Sequence, residues 1–381
     1  MHDPLSRWRV LGASIGLLAA ATLSVAGAGA ASGAGADPAA ARDRAASPDV
    51  STSQVAFTAE ARAAGKAKYG ARATDTQVLE AYWTPERMRS AKPADSDSAV
   101  AEASAAYSEK SRADAKAGRK TPTNDGPARS VDGVASTQFP GSGGPVEAAS
   151  NPNLPSYSPT AYTMGKVFFT KSGGGNYVCS GTIVNSEGKD TVWTAGHCVH
   201  GGSGGTWHYN WTFVPAYDDD LANPRPYGTW SYNQLWTKSA WSGSSDFAQD
   251  MGVAIMNTTW GWHIVDYFGG QGLTVNRGKS VYEYAFGYPA EWPFDGGNLM
   301  RCQGWTSPEW DAWLFWSQTV KISCDMTRGS SGGGWLTDYD GNWGRLNGVN
   351  SRIDRILNPT IMLSPYFDDD AWGLYNSTRY L

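Results

Sequence analysis

Residues 194–198 read Thr-Ala-Gly-His-Cys, and they close a short run of β-branched and aromatic residues at 190–194. Such a run predicts a strand, which would deliver His197 into a tight turn of small residues. A histidine in this setting can be purely structural, or one end of a metal site, because His200 completes a His-x-x-His pair. No third ligand is evident in the sequence, so we expect no metal.

Two cysteines accompany this histidine. Cys179 lies in residues 177–184, which read Tyr-Val-Cys-Ser-Gly-Thr-Ile-Val and predict another strand. A Cys179–Cys198 disulfide would staple the two strands together and hold His197 in a fixed position. The chain has 4 cysteines, an even number that indicates two disulfides in an exported protein.

A glycine-rich stretch follows later, where residues 329–334 read Gly-Ser-Ser-Gly-Gly-Gly. A serine hydroxyl is a poor nucleophile until a neighbouring base takes its proton, and the oxyanion that then develops needs fixed backbone N–H donors. Glycines allow the sharp turn and the close approach that both require. The stretch also reads as a flexible linker, but its position between Cys324 and the apolar residues 335–336 favours a place within the fold.

One aspartate stands at the head of an apolar run. Asp250 directly precedes residues 251–256, which read Met-Gly-Val-Ala-Ile-Met and predict a strand. A buried carboxylate beside a histidine can fix the tautomer of the ring and stabilise the imidazolium. Asp246 competes for this role, and we favour Asp250 because the apolar run begins directly after it.

In this order, the motifs resemble those of the trypsin/chymotrypsin superfamily of serine peptidases. The likeness covers residues 160 to 375 or so, and it is nearest to the bacterial secreted branch that includes the glutamyl endopeptidases. The segments Ala-Phe-Gly-Tyr-Pro and Asn-Gly-Val-Asn-Ser also resemble that branch. The matching stretches are 179–182, 194–198, Asp250, 285–289, 329–333 and 347–351.

The resemblance implies an all-β fold of two six-stranded antiparallel β-barrels, with the active site in the cleft between them. It implies a secreted serine endopeptidase that hydrolyses peptide bonds through an acyl-enzyme. The catalytic triad would be His197, Asp250 and Ser331, and the backbone amides of Gly329 and Ser331 would form the oxyanion hole. No cofactor is implied, and the expected partners are protein or peptide substrates.

The resemblance also bears on the specificity pocket and on the remaining cysteines. Asp325 lies six residues before Ser331, where trypsin-like enzymes keep the acid that receives Lys or Arg. Glutamyl-type relatives can carry aspartate at this position without preferring basic residues, so the preference stays open between basic, acidic and other side chains. Cys302 and Cys324 are expected to form the second disulfide.

Two departures from the family pattern matter. Ser330 stands where the animal enzymes carry an aspartate that pairs with the new N-terminus after activation, so that ion-pair switch cannot operate here. Maturation must work differently, for example through removal of a pro-segment that blocks the cleft or assists folding. Gly334 replaces the usual proline, and no chemistry depends on it.

The N-terminus has the order of a secretory signal peptide. Arg7 and Arg9 precede an apolar run at 10–26, and small residues follow in an Ala-x-Ala rhythm. A membrane anchor is the alternative, but this run is short for a span. We therefore assign residues 1–36 as a signal peptide, with cleavage expected after Ala28, Ala30 or Ala36. We expect a secreted, extracellular protein with no membrane contact after its removal.

Composition changes near residue 150. Residues 37–150 are rich in Ala and charged residues, which predicts a partly helical or disordered pro-segment and linker. Helices are expected at 53–68 and 74–88. The alternative is a disordered or cell-wall-spanning stalk. Residues 151–381 have the short runs and turns of an all-β peptidase domain without a long helical face. Strands are predicted at 166–170, 177–184, 190–194, 251–256, 280–286, 313–322 and 346–349.

Charge and aromatic content limit the other functions. The net charge of −5 argues against a nucleic-acid binder. Separately, we expect the protein to be a monomer. An α/β-hydrolase would need a histidine after its nucleophile, but none follows His263. The remaining rival is a catalytically inactive fold that binds an extracellular polymer through some of the 18 tryptophans. The acidic runs 218–220 and 368–370 read as solvated loops or as calcium ligands.

Overall fold

The computed structural model describes residues 49–119, 123–138, 156–157, 162–309, 317–354 and 360–381. The predicted signal peptide lies outside these ranges, as does most of the predicted linker. Within them, no helix combines the length and the apolar character that crossing a membrane requires.

The N-terminal part of the described chain is largely helical, as the sequence predicts for a pro-segment. Thr58, Thr74 and Thr84 each begin a helix by accepting a backbone N–H with their side chains, which satisfies donors that the first turn leaves free. The elements are β1 (Val50–Gln54), α1 (Ala59–Tyr69), α2 (Asp75–Tyr82), α3 (Pro85–Arg89), β2 (Lys92–Pro93) and α4 (Ser98–Lys116), followed by β3 (Arg129–Val131), β4 (Val134–Ala135) and β5 (Ser156–Tyr157).

Helix α4 was not predicted from the sequence. Asp97 caps its first turn through the N–H of Ala99. Only Val100 among its residues is buried, so the helix lacks the repeated apolar positions that make an amphipathic helix recognisable.

Six strands close into an antiparallel barrel in the order β10-β11-β8-β7-β6-β9, because β9 also pairs with β10. Most predicted strands in this region agree with the observed ones to within two residues. The strands are β6 (Met164–Thr170), β7 (Asn176–Ile183), β8 (Thr191–Thr194), β9 (Tyr209–Pro215), β10 (Trp230–Lys238) and β11 (Gly252–Met256).

The N-terminal part is joined to this barrel by backbone pairing. Strand β1 runs antiparallel to β10, with Val50 opposite Lys238. Strand β2 runs parallel to β7, with Lys92 opposite Tyr177. Residues 49–119 therefore extend the barrel sheet at two places instead of forming a separate body.

The C-terminal half is also rich in strands. A seven-stranded sheet has the order β3-β13-β19-β18-β14-β15-β5, and a four-stranded sheet has the order β16-β17-β21-β20. The elements are α5 (Ser239–Ser244), α6 (Ile264–Phe268), β12 (Gly269–Gly270), β13 (Gly272–Val275), β14 (Tyr282–Gly287), β15 (Met300–Trp305), β16 (Ser307–Pro308), β17 (Thr319–Ser323), β18 (Gly334–Thr337), β19 (Arg345–Val349), β20 (Arg352–Ile353), β21 (Ile361–Pro365) and α7 (Asp369–Thr378).

Helix α7 corrects the expectation of a solvated loop at 368–370. The Asp368 side chain accepts the N–H of Asp370 and begins the helix, a favourable position for a carboxylate because of the helix dipole. Asp369 and Asp370 form ion pairs with Arg129 and Lys238. Leu374 and Tyr375 on the helix are fully buried, which fixes it against the fold.

Two hydrophobic clusters account for most of the interior near the barrel. One fills the barrel with residues such as Val167, Trp211 and Leu235. The other lies outside the barrel wall and includes Leu79 and Trp83 of the N-terminal part. Burial of such side chains contributes about 1.5 to 3 kcal/mol each, so residues 49–119 are packed onto the rest of the chain.

The tryptophans divide between interior and surface. Trp310, Trp313 and Trp316 lie outside the described residues. The fully buried ones are Trp83, Trp193, Trp211, Trp230, Trp241 and Trp335, and the exposed ones are Trp260, Trp262, Trp292 and Trp305.

Candidate active site

His197 and Asp250 meet at one end of the barrel. Strand β8 ends at Thr194, and a single 3-10 turn, Gly196–Cys198, then carries His197. The ring Nδ1 of His197 lies 2.8 Å from Oδ2 of Asp250, and the backbone N–H of His197 donates to Oδ1 at 2.8 Å. Both side chains are completely buried.

The carboxylate of Asp250 favours the protonated form of His197. Burial lowers the pKa of His197, but the negative charge of Asp250 and its hydrogen bond outweigh burial, so the pKa lies above its usual value. The charge of Asp95 adds to this rise. An imidazole stabilised as its cation in this way can accept a proton during a reaction.

A third residue holds Asp250 in place. The hydroxyl of Ser351 donates to Oδ2 of Asp250 at 2.6 Å, and all atoms of this contact are buried. We did not assign Ser351 a role from the sequence, although it ends the segment 347–351 that resembles the bacterial branch. A hydrogen bond to an ionised acceptor is among the strong ones.

Asp246, the competing acid, serves a different purpose. Its side chain accepts the N–H of Ala248 and begins the 3-10 turn Phe247–Gln249. This turn leads directly to Asp250, so Asp246 shapes the approach to the site while Asp250 contacts the histidine.

Ser331 lies on a turn that is anchored against the histidine-bearing barrel. Its carbonyl oxygen accepts the N–H of Ser180 at 2.7 Å, and a sulfur of Cys198 lies 3.7 Å from the same oxygen. The next residue, Gly332, has a φ of 82°, and a Cβ there would lie 2.0 Å from Oγ1 of Thr194. The turn therefore needs glycine at 332 to pack this closely against the end of β8.

The other ring nitrogen of His197 is buried and has no hydrogen-bond partner within the described ranges. No hydrogen bond joins it to the Ser331 hydroxyl among those residues. Hydrogen bonds between a nucleophile and its base are often long without substrate and shorten in the reacting complex.

The backbone N–H of Gly329, two residues before Ser331, is the next feature of this turn. Gly329 has a φ of 97°, which favours glycine. The carbonyl of Arg328 accepts the N–H of Ala290 at 2.7 Å. Because C=O and N–H point in opposite directions in a trans peptide, this bond turns the N–H of Gly329 away from Ala290. The carbonyl of Gly329 is held by the Ser180 hydroxyl at 3.2 Å.

Two disulfides brace this region. Cys179 is joined to Cys198, and Cys302 is joined to Cys324. The first directly follows His197, and the second lies beside Asp325. Cys179, His197 and Cys198 cluster closely enough to suggest metal ligands, but sulfur binds metal as a thiolate and both sulfurs are here in a disulfide.

Asp325 is partly buried, and its Oδ1 has no hydrogen-bond partner within the described residues. Burial raises the pKa of this carboxyl group. Arg328, three residues later, pairs with Glu291 at 3.3 Å. His263 is not part of this site, because it pairs with Asp190 before the start of β8.

A segment of the N-terminal part covers the site. The carboxylate of Asp95 accepts the N–H of Gly329 at 3.3 Å. Helix α4 contributes Val100 to a cluster with Trp241 and Phe247. Sequence reasoning missed Asp95, because the sequence around it carries no motif that would single it out.

Comparisons with known proteins agree with these features. The sequence matches no family model and no curated protein. The structure of the protease Anisep from Arthrobacter nicotinovorans matches with a TM-score of 0.55 and 35% identity, covering 60% of this chain and 100% of that one. The thermostable serine protease AL20 from an extremophilic microorganism matches with a TM-score of 0.53 and 36% identity, covering 58% and 98%. With its closed barrel and the family's motifs, the chain belongs to the chymotrypsin-like serine proteases.

Proposed function

We propose that this protein is a secreted serine endopeptidase with His197, Asp250 and Ser331 as its catalytic triad. The observation that carries the proposal is the buried pair of hydrogen bonds between Asp250 and His197, beside a glycine turn that bears Ser331. The likeness to two bacterial serine proteases at 35% and 36% identity supports the reaction class.

In the proposed mechanism, the Ser331 hydroxyl attacks the carbonyl carbon of a peptide bond. Nε2 of His197 takes the proton from Ser331 and then gives it to the leaving amine. Asp250 keeps the proton of His197 on Nδ1 and stabilises the imidazolium. The N–H groups of Gly329 and Ser331 stabilise the oxyanion of the tetrahedral intermediate. Water then hydrolyses the acyl-enzyme by the reverse sequence of proton transfers.

We assign the chain order as signal peptide (1–36), pro-segment and linker (37–150) and peptidase domain (151–381). Two disulfides support export, since they persist in oxidising compartments. We further propose that the strands of the C-terminal half form the second six-stranded barrel of the family fold. A buried cluster that joins Ala285, Cys302, Ile322 and Met362 across both sheets supports this assignment.

Asp325 is our candidate for the base of the specificity pocket. Its partly buried carboxylate with an unpartnered oxygen is a group that a substrate Lys or Arg could satisfy, because a buried charge is stabilised by pairing. Asp325→Asn should therefore lower kcat/KM for substrates with Lys or Arg at the cleaved bond and leave other substrates little changed.

The test of the function is cleavage of a mixed peptide library by the processed protein, with products identified by mass spectrometry. We expect cleavage that Ser331→Ala abolishes and Ser330→Ala retains. Cleavage that survives Ser331→Ala would refute the assigned nucleophile.

A binding function without catalysis is the second candidate. Exposed tryptophans favour this binding function, because indole faces can stack on sugars or aromatic groups. The most exposed are Trp292 (91%), Trp305 (67%) and Trp260 (61%). The same library experiment separates the two, since a binder would produce no Ser331-dependent cleavage.

A further inference from the structure

The segment that crosses the candidate active site is held in a defined geometry. Strand β2 pairs with β7 at Tyr177 and Val178, and a 3-10 turn, Ala94–Ser96, follows at once. Lys171 of the barrel donates to the carbonyl of Ala94 at 3.3 Å and pairs with Asp97 at 3.2 Å. These contacts fix the residues on both sides of Asp95.

Asp95 is thereby directed at a single backbone group. Its Oδ1 lies 3.3 Å from the nitrogen of Gly329, whose N–H is turned away from Ala290 by the bond between Ala290 and the carbonyl of Arg328. Under the proposed function, this N–H is a donor of the oxyanion hole. A carboxylate oxygen carries the partial negative charge that such a hole is built to bind.

The charges around Asp95 match those around a reacting oxyanion. Burial raises the pKa of Asp95, while the positive charges of His197 and Arg328 and the N–H of Gly329 act against that rise. The same groups would surround the negative oxygen of a tetrahedral intermediate. Asp95 thus uses the electrostatic field of the site, while its carboxylate carbon is a poor electrophile and has no amine to release.

Helix α4 continues the cover beyond the oxyanion hole. Val100 packs against Trp241 and Phe247, and Ser108 accepts a hydrogen bond from Arg352 at 2.8 Å. Arg352 directly follows Ser351, which holds Asp250. The helix therefore contacts residues that are next to the proposed triad in the sequence or in space.

We propose that Asp95 is an internal ligand of the oxyanion hole and keeps the uncleaved chain inactive by occupying the position of the substrate oxygen. This inference rests on the proposed function and adds its regulation. Removal of the segment that carries Asp95 would free Gly329 for substrate. Removal of this segment would then be the activation step. It would take the place of the ion pair between an aspartate and the new N-terminus, which cannot form here because residue 330 is a serine.

The experiment measures how fast a small fluorophosphonate probe labels the uncleaved chain, with intact mass showing that residues 49–119 are still attached. The phosphoryl oxygen of the probe must enter the oxyanion hole, so it competes with Asp95. We expect slow labelling of the wild-type chain and labelling about ten to a hundred times faster for Asp95→Ala. Asp95→Asn, which keeps an oxygen but loses the charge, should fall between them.

Glu102→Gln is the matched control, because it removes an equal charge at an exposed position of α4 and leaves the contacts of Lys171 with Ala94 and Asp97 in place. It should label within about twofold of wild type. Amide hydrogen exchange over residues 98–116 shows whether α4 stays docked. Faster labelling of Asp95→Ala with α4 still protected supports the inference.

Two results would overturn the inference and leave the proposed function standing. One is Asp95→Ala labelling no faster than wild type. The other is faster labelling of Asp95→Ala that comes with loss of protection in α4, because the effect would then come from undocking of the helix. Labelling that persists in a Ser331→Ala chain would instead reject the proposed function.

Discussion

Asp250 receives two hydrogen bonds from His197, one from the ring Nδ1 and one from the backbone N–H, each 2.8 Å long. The two bonds have separate consequences. The backbone bond fixes where residue 197 lies, and the ring bond fixes how the imidazole is turned and which nitrogen carries the proton. Nε2 has no hydrogen-bond partner within the described residues, so it remains available as a proton acceptor.

Replacing Asp250 with asparagine should therefore damage catalysis much more than folding. The amide can still bond the backbone, but it cannot stabilise an imidazolium and favours the wrong tautomer. We expect kcat to fall about 10⁴-fold, measured with a peptide substrate on the processed protein. Asp246→Asn is the control, since asparagine also caps a turn, and a loss of similar size there would contradict the assignment of Asp250.

Removing the Ser351 hydroxyl should give a smaller loss. Ser351→Ala deletes a 2.6 Å hydrogen bond to Oδ2 of Asp250, and such a bond to a charged group is worth about 1.5 to 3 kcal/mol. We expect kcat to fall about tenfold or more with little change in KM. Because the charge of Asp250 is then less offset, the pKa of His197 should rise, and the acid limb of the pH–rate profile should move to higher pH. An unchanged profile would argue against a positioning role.

Gly332 should tolerate no side chain. Gly332→Ala places a Cβ 2.0 Å from Oγ1 of Thr194 at a φ of 82°, so both contact and backbone are unfavourable. We expect a loss of about 3 kcal/mol or failure to fold, measured by thermal unfolding in a Ser331→Ala background that prevents self-cleavage. Gly341→Ala has a similar φ of 104° but nothing within 4 Å, so it should lose only about 1 kcal/mol. Equal losses of stability in the two variants would show that the turn at Gly332 does not pack against Thr194 as described.

Glu283 should make stability depend on pH. It is buried and accepts a hydrogen bond from Asn347 at 2.8 Å, and burial, opposed by that bond and by the charge of Arg277, raises its pKa from 4.5 to about 8. Because the folded pKa is raised, its contribution to stability is complete below pH 4.5 and is lost as pH rises towards 8. Glu283→Gln removes this loss.

The free energy of unfolding of Glu283→Gln relative to the parent should thus increase by up to about 1.4 kcal/mol per pH unit between pH 5 and 8. Urea unfolding in the Ser331→Ala background measures it. Glu102→Gln, at an exposed position on α4, should give a difference that does not change with pH. A flat difference for Glu283→Gln as well would mean that this carboxyl group is not buried as described.

Four of the six barrel strands, β6, β7, β8 and β11, could be predicted from the sequence because their apolar runs are short and bounded by turn residues, whereas β9 and β10 were not predicted. Outside the barrel, strand β17 (Thr319–Ser323) was predicted to start at 313, and residues 313–316 lie outside the described ranges. Helix α7 was missed because its aspartates read as a loop when only charge is considered. The cap formed by Asp368 needs three-dimensional context to be recognised.

The residues of the candidate site could likewise be predicted only where a local sequence pattern marks them. His197, Asp250 and Ser331 each stand in a local pattern, so the sequence could single them out. Ser351 and Asp95 act through contacts with residues 101 and 234 positions away, and no local pattern reports such contacts. The covering of the site by the N-terminal segment is therefore a property that only the fold reveals.

The proposed mechanism requires that Ser331 is acylated with His197 as its base. Acylation can be followed by mass spectrometry after the processed protein is mixed rapidly with an activated acetyl ester and quenched in acid. We expect a burst in which one acetyl group appears on the peptide containing Ser331, and His197→Ala should abolish that burst. An acetyl group on another residue, or a burst of equal size without His197, would contradict it.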